Sequence, residues 1–272
     1  MISNQKDIIS FYSDGRENDR AAESRAASLE FHYTKKLLSE YINSESNVIE
    51  LGCASGYYGM FFADKCATYT GVDLSPDNIE IFKNKIIAEN KTNIYASVGD
   101  ATCLLDFADE SFDVALCLGP MYHLPQEERL KVFDECRRIA KRGAILAFAY
   151  INGIGVYAGA CTDEKFRHIY PNARANKYVF EYKTDDVRPG VFLYTSPEEM
   201  EHDARQKNLE VIKNCGLDFF FASSAINAMS DEQFGYYMEL SDKMSDSPSC
   251  TGLANHALMI CKKSISAEAA YE

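Results

Sequence analysis

Three acids end apolar runs in this chain: Glu50 in "VIELGCASG", Asp73 in "TYTGVDLS" and Asp100 in "NIYASVGDA". After Glu50 comes a turn of small residues, with Gly52 and Gly56 flanking Cys53, Ala54 and Ser55. Such a turn lets a ligand approach the backbone closely, at the positive end of the helix that follows. Asp73 lies about 20 residues further on, where a carboxylate can accept from both hydroxyls of a ribose. A dinucleotide would need Gly-x-Gly-x-x-Gly to pass its pyrophosphate, but the corresponding places after Gly52 hold Ala54 and Tyr57. Glu50 would repel a pyrophosphate and attract an ammonium group. A ligand with an ammonium, a ribose and an adenine, and no phosphate, is S-adenosylmethionine.

These residues need strands to hold them and helices to cover the strands. From about residue 28 to 150 the two signals alternate. "SLEFHYTKKLLSEYI" carries a helical stripe of Leu29, Tyr33, Leu37, Leu38, Tyr41 and Ile42. Strands are expected at "NVIELG", "TYTGVDLS", "NIYASVGDA", "SFDVALCLG" and "AILAFAYI". Helices are expected after the glycine turn, over "SPDNIEIFKNKIIAEN" with Ser75 as cap, and over "PQEERLKVFDECRRIAKRG" with Gly143 closing it. Strands separated by helices make a parallel sheet with right-handed crossovers. The expected fold is α/β: a doubly wound, mainly parallel seven-stranded Rossmann-like sheet. Residues 151–195 break the rhythm and are rich in Tyr, Phe, His and Arg, which suggests a cap over the carboxyl ends of the strands. Most of their aromatics should form the cap's own core. A helix at "SPEEMEHDARQKN", a strand at "LEVIKNCGLDFFFAS", a helix at "SDEQFGYYMELSDKM" and a strand at "NHALMICKKS" follow.

The fourth strand runs into "LGPMYHL", which sets Leu118, Tyr122 and His123 at the same edge as the three acids. His123 could serve as a general base toward a group being alkylated, or only orient a loop; Tyr122 could wall the reaction channel. His32, His168, His202 and His256 lack metal-ligand spacing and read as structural or exposed, so no metal site is expected.

Together, "VIELGCASG", "GVDLS", "VGDATCL" and "FDVALCLGPMYHL" resemble the motifs of class I S-adenosylmethionine-dependent methyltransferases. "LGPMYHL", with "DR" and "EFHYTKKLL" upstream, is most similar to a group of small bacterial members. The resemblance covers residues 28–150 well and the rest by topology. It implies that Glu50 and Gly52, Cys53, Ala54 and Gly56 meet the methionine end and ribose. Asp73 and Leu74 would hold the ribose, Asp100 and Ala101 would face the adenine, and Leu118 would complete the donor site. Ala54 departs from the family, where many members carry Gly. The implied division is a helical lid at 1–45, a donor-binding half at 46–150, a substrate cap at 151–195, a C-terminal half at 196–265 and a tail at 266–272. The reaction would be in-line methyl transfer to a small molecule. A non-catalytic S-adenosylmethionine-binding protein shares every motif, and a nicotinamide-dependent oxidoreductase would share the sheet.

Composition narrows the partners. The net charge of -13 argues against nucleic acid or an anionic membrane surface. The polar opening residues, the lack of a membrane-length apolar run and nine scattered cysteines without a Cys-x-x-Cys pair suggest a reduced, cytoplasmic protein, monomeric or homodimeric.

Overall fold

A computed structural model describes residues 5–12, 17, 20–181, 191–218 and 222–264. Most of "SDGRENDR", Tyr182 in the cap and the tail at 266–272 lie outside the described residues, as does the side chain of Phe180.

The chain opens with helix α1 (Gln5–Tyr12) and helix α2 (Arg25–Leu38), whose first turn is closed by the Ser24 side chain accepting from the Ala27 N–H. Strand β1 (Asn47–Leu51), helix α3 (Tyr57–Phe62), strand β2 (Thr68–Asp73), helix α4 (Pro76–Ala88) and strand β3 (Ile94–Val98) follow. Then come strand β4 (Phe112–Cys117), helix α5 (Gln126–Ile139) and strand β5 (Ala140–Ile151). Helices α6 (Gly153–Thr162) and α7 (Ala173–Glu181) fall in the stretch expected to cap the sheet, and helix α8 (Pro197–Gln206) leads to strand β6 (Leu209–Gly216). Helices α9 (Ser223–Asn227), α10 (Asp231–Ser245) and α11 (Pro248–Thr251) precede strand β7 (His256–Lys263).

The sheet runs β3-β2-β1-β4-β5-β7-β6. Its first five strands are parallel, and β7 is antiparallel to both β5 and β6. The order reverses at β1, which pairs with β2 on one side and β4 on the other. In an open α/β sheet that reversal opens a crevice at the carboxyl ends of the strands. Tyr69, Phe62, Phe82 and Leu38 pack one face of the sheet, and Phe133, Phe148, Val132 and Cys136 the other.

One expectation needs correcting. Helix α5 stops at Ile139, four residues before Gly143. Gly143, at φ 75°, sits instead in an irregular stretch of β5, where the pairing jumps from Phe112–Ala140 to Val114–Ile145. The polar leader contains a helix, α1, that reaches the sheet edge. Residues 151–195 hold two helices: "GIGVYAGACT" is apolar on every side, so α6 shows no stripe, whereas α7 is amphipathic.

Candidate active site

Strand register brings the three acids into one cleft. Glu50 lies beside Gly71 of β2, and Asp73 beside Val98 of β3. Glu50, Gly52, Cys53, Ala54, Asp73, Leu74, Asp100, Ala101, Leu118, Tyr122 and His123 all line this cleft. Gly56 is the one expected site residue that does not. At φ +83°, a Cβ there would stand 2.0 Å from the Phe82 ring, so this glycine makes room for the protein core. Gly52 likewise clears Pro120, whose Cδ would be 2.6 Å from its Cβ. Two glycines therefore let the turn fold tightly onto neighbouring elements, and that fold aims the intervening residues at the cleft.

Each acid has countable hydrogen-bonding capacity. Asp73 Oδ1 accepts from the Ser75 N–H (2.8 Å) and the Asn78 amide (3.2 Å), and Oδ2 accepts from the Ala54 N–H (2.9 Å). A carboxylate offers about four acceptor positions, so one remains on Oδ2. Asp73 can therefore take one ribose hydroxyl, not the two expected above. Burial pushes its carboxyl above the usual carboxylate range, opposed by those three donors. Asp100 Oδ1 takes the Thr102 N–H (2.9 Å) and hydroxyl (2.8 Å), while Oδ2 takes the Gln5 amide of α1 at 2.6 Å. Glu50 is 1% exposed and accepts from the Tyr69 hydroxyl at 2.7 Å. Burial pushes its carboxyl up to about 8 against the effect of that bond.

The far end of the cleft is built by residues whose roles the sequence did not reveal. Arg20 is the one lysine or arginine among the described lining residues. Its Nε donates to Glu17 (2.6 Å) and its Nη1 to Glu30 (2.7 Å), and the guanidinium lies 4.6 Å from the Phe31 ring centre. Glu30 also faces His256 Nε2 at 3.8 Å, and His256 Nδ1 meets Asp218 at 2.7 Å. Burial opposes the charge on His256, but Glu30 and Asp218 outweigh it and hold the imidazole up at about 9. Glu30 is kept ionised below its ordinary range by His256 and Arg20, against its own burial. The "DR" and "EFHYT" segments contain Arg20 and Glu30, which pair with each other, and Glu30 finds His256 far along the chain.

His123 is 5% exposed. Its Nδ1 lies 3.0 Å from the Val191 carbonyl, and its Nε2 lies 3.0 Å from the Tyr12 hydroxyl. Tyr122 donates to the Leu118 carbonyl at 3.2 Å. Of the described cap aromatics, Phe192 reaches the site, with its ring centre 5.3 Å from that of His123. Tyr157 bonds within the cap to Asn172 and Asn176, and Tyr178 packs on Tyr194. Among the described residues, no cluster of His, Cys, Asp and Glu could hold a metal ion, and no helix is long and apolar enough to cross a membrane.

Residues 48–143 match the family model of a methyltransferase domain. The chain is 27% identical over 155 residues to the O-antigen chain terminator bifunctional methyltransferase/kinase WbdD of Escherichia coli, a match covering 54% of this chain and 21% of that protein. It is 28% identical over 135 residues to the ubiquinone biosynthesis O-methyltransferase of Actinobacillus pleuropneumoniae serotype 5b, covering 44% of this chain and 55% of that one. The chain thus spans between a fifth and about half of these curated relatives. Among solved structures, an S-adenosylmethionine-dependent methyltransferase from Methanosarcina mazei superposes with a TM-score of 0.58 at 13% identity, covering 85% of this chain and 98% of that one. The mainly parallel sheet, with β7 antiparallel in it, is the class I methyltransferase fold.

Proposed function

We propose that this chain, built around a class I methyltransferase domain, binds S-adenosylmethionine and directs its methyl group to a small-molecule acceptor. The observation carrying this reading is the convergence of Glu50, Asp73 and Asp100, from the ends of three adjacent strands, on one cleft whose described lining holds a single cation, Arg20. The donor set fits the molecule. Glu50 offers a carboxylate to an ammonium, Arg20 a guanidinium to the methionine carboxylate, and Asp73 its remaining lone pair to a ribose hydroxyl. Asp100 and Ala101 face the adenine, with Cys53, Ala54, Leu74 and Leu118 as walls. Gly52 and Gly56 shape the loop.

When bound, S-adenosylmethionine supplies a methyl group activated by a sulfonium. The protein's share is alignment of acceptor, methyl carbon and sulfur, and exclusion of water. Helix α1 is placed to exclude water, since it spans the cleft from Gln5 on Asp100 to Tyr12 on His123. We assign residues 1–45 as lid, 46–150 and 196–265 as the two halves of the methyltransferase domain, and 151–195 as the acceptor cap. Tyr122 and His123 stand at the acceptor end.

Calorimetry with S-adenosylmethionine, S-adenosylhomocysteine and, separately, NAD tests the reading. Binding of the first two and not the third is expected. NAD binding without S-adenosylmethionine binding overturns it in favour of an oxidoreductase. Donor binding with no S-adenosylhomocysteine release against the small-molecule fraction of a bacterial extract favours a non-catalytic binding protein.

A further inference from the structure

His123 is enclosed. Three rings surround its imidazole: Tyr122 at 4.8 Å, Phe192 at 5.3 Å and Tyr12 at 5.4 Å between centroids. The Val191 carbonyl opposite Nδ1 can only accept, so Nδ1 carries the hydrogen. In the neutral ring Nε2 is then the lone-pair nitrogen, and the group against it is the Tyr12 hydroxyl at 3.0 Å, which donates to it. An acceptor molecule in the cleft therefore meets the Tyr12 oxygen before it meets His123. Tyr12 itself lines the cleft and sits within the electrostatic reach of Glu17, Glu30 and Asp73, between the acceptor end and the ribose acid. Burial, foremost, and then those acids keep its phenol protonated. Arg20 opposes them. A phenol that gives up one proton as it takes another remains neutral throughout, so the path through Tyr12 needs no tyrosinate.

We propose that Tyr12 is a further catalytic residue, relaying the acceptor's proton to His123. The proposal rests on the methyl-transfer reading above. As the acceptor atom forms its bond to the methyl carbon, the carbon–sulfur bond breaks and its electron pair stays on sulfur. The acceptor's proton passes to the Tyr12 oxygen, and the Tyr12 proton passes to His123 Nε2. The imidazolium is held through Nδ1–H on the Val191 carbonyl until it returns the proton to solvent. The acceptor class that needs this device is one whose attacking atom carries both a lone pair and a proton it must lose on methylation, a hydroxyl, and not an ammonium, a thioether or a tertiary amine.

Two readouts test it. In protein labelled with 15N-histidine and saturated with S-adenosylhomocysteine, His123, assigned by its loss in His123→Gln, should be the Nδ1–H tautomer when neutral. The Nε2–H tautomer overturns the relay. Turnover of Tyr12→Phe, read as S-adenosylhomocysteine released with the small-molecule fraction of a bacterial extract as acceptor source, should fall roughly hundredfold. Its affinity for S-adenosylhomocysteine should stay within about threefold of wild type. Unchanged turnover overturns the proposal. So does a proportionate loss of affinity, which makes Tyr12 a donor-binding residue. Failure of the unaltered protein to bind S-adenosylhomocysteine sinks the methyl-transfer reading instead, and is seen before any variant is compared. The phenylalanine fills the same space, and its thermal unfolding midpoint separates a folding defect from a lost proton path.

Discussion

The Tyr69 hydroxyl reaches across from β2 to donate to Glu50 Oε2 on β1 at 2.7 Å, at the buried wall of the cleft. One neutral donor does not offset the burial of a charge, and the Glu50 carboxyl is pushed up to about 8.

Ligand binding should therefore move a proton. An ammonium that pairs with Glu50 selects the carboxylate, so S-adenosylhomocysteine should bind with proton release at pH 7, fading by pH 9. Calorimetry in buffers of different ionisation enthalpy measures it. The same residue makes stability depend on pH. Between about pH 4.5 and 8 the folded chain holds a Glu50 proton that the unfolded chain has lost, so stability falls as pH rises across that window and is flat above it. Glu50→Gln should raise the unfolding midpoint at pH 8.5 more than at pH 5, while weakening donor binding.

Asp73→Ala should weaken S-adenosylhomocysteine binding at least about tenfold, since a charge-assisted bond contributes roughly 1.5–3 kcal/mol. The amide should be no milder. Both carboxylate oxygens already accept from N–H groups, so whichever way Asn is turned, its own NH2 faces a donor. Calorimetry on both variants checks this, and near-native affinity for Asp73→Asn contradicts it.

Gly56→Ala should damage folding, not the ligand site. The new Cβ would meet the Phe82 ring at a backbone φ of +83°, and a loss of roughly 2–4 kcal/mol in urea unfolding is expected. Trimming the ring in the same chain, with Phe82→Leu, should recover part of the loss. A variant of native stability that fails to bind S-adenosylhomocysteine would restore the ligand reading of this glycine.

The Glu30–His256–Asp218 cluster should show itself as a stability change on the alkaline side. The His256 imidazole is held up at about 9, so its contribution is whole below pH 6.5 and is lost as pH rises through 9. His256→Gln should remove on the order of 1–3 kcal/mol at pH 6 and much less at pH 10. Thermal unfolding at the two pH values reads the difference. Turnover should fall too, because Glu30 anchors Arg20 in the cleft.

Local sequence announced what local chemistry determines. Ser75 before Pro76, Ser196 before Pro197 and Ser230 with Gln233 mark helix starts where the caps form. The apolar runs ending in Glu50 and Asp73 marked strands because β1, and much of β2, is covered on both faces. What stayed hidden depends on distant partners. Tyr12 acquires meaning only from His123, 111 residues away, and Glu30 from His256 on the last strand. Helix α1, eight residues long with none fully buried, turns Ile8, Ile9 and Tyr12 toward the cleft, a stripe too short to stand out in a polar leader. The glycine turn was legible as a turn, but which side of it faced the ligand depended on Phe82 and Pro120.

Strand β7 lies between β5 and β6, pairing with both, although it follows them in the chain. On the ribosome, β5 and β6 therefore emerge with no bond to each other and a strand-wide slot between them. Until Lys263 has cleared the exit tunnel, the nascent protein carries two open edges lined by Phe148, Leu146 and Leu209, the kind of edge to which other chains add. Closing the slot is a single late event that joins the two halves at once. Chaperone occupancy on translating ribosomes should persist through β6 and drop only after β7 is free.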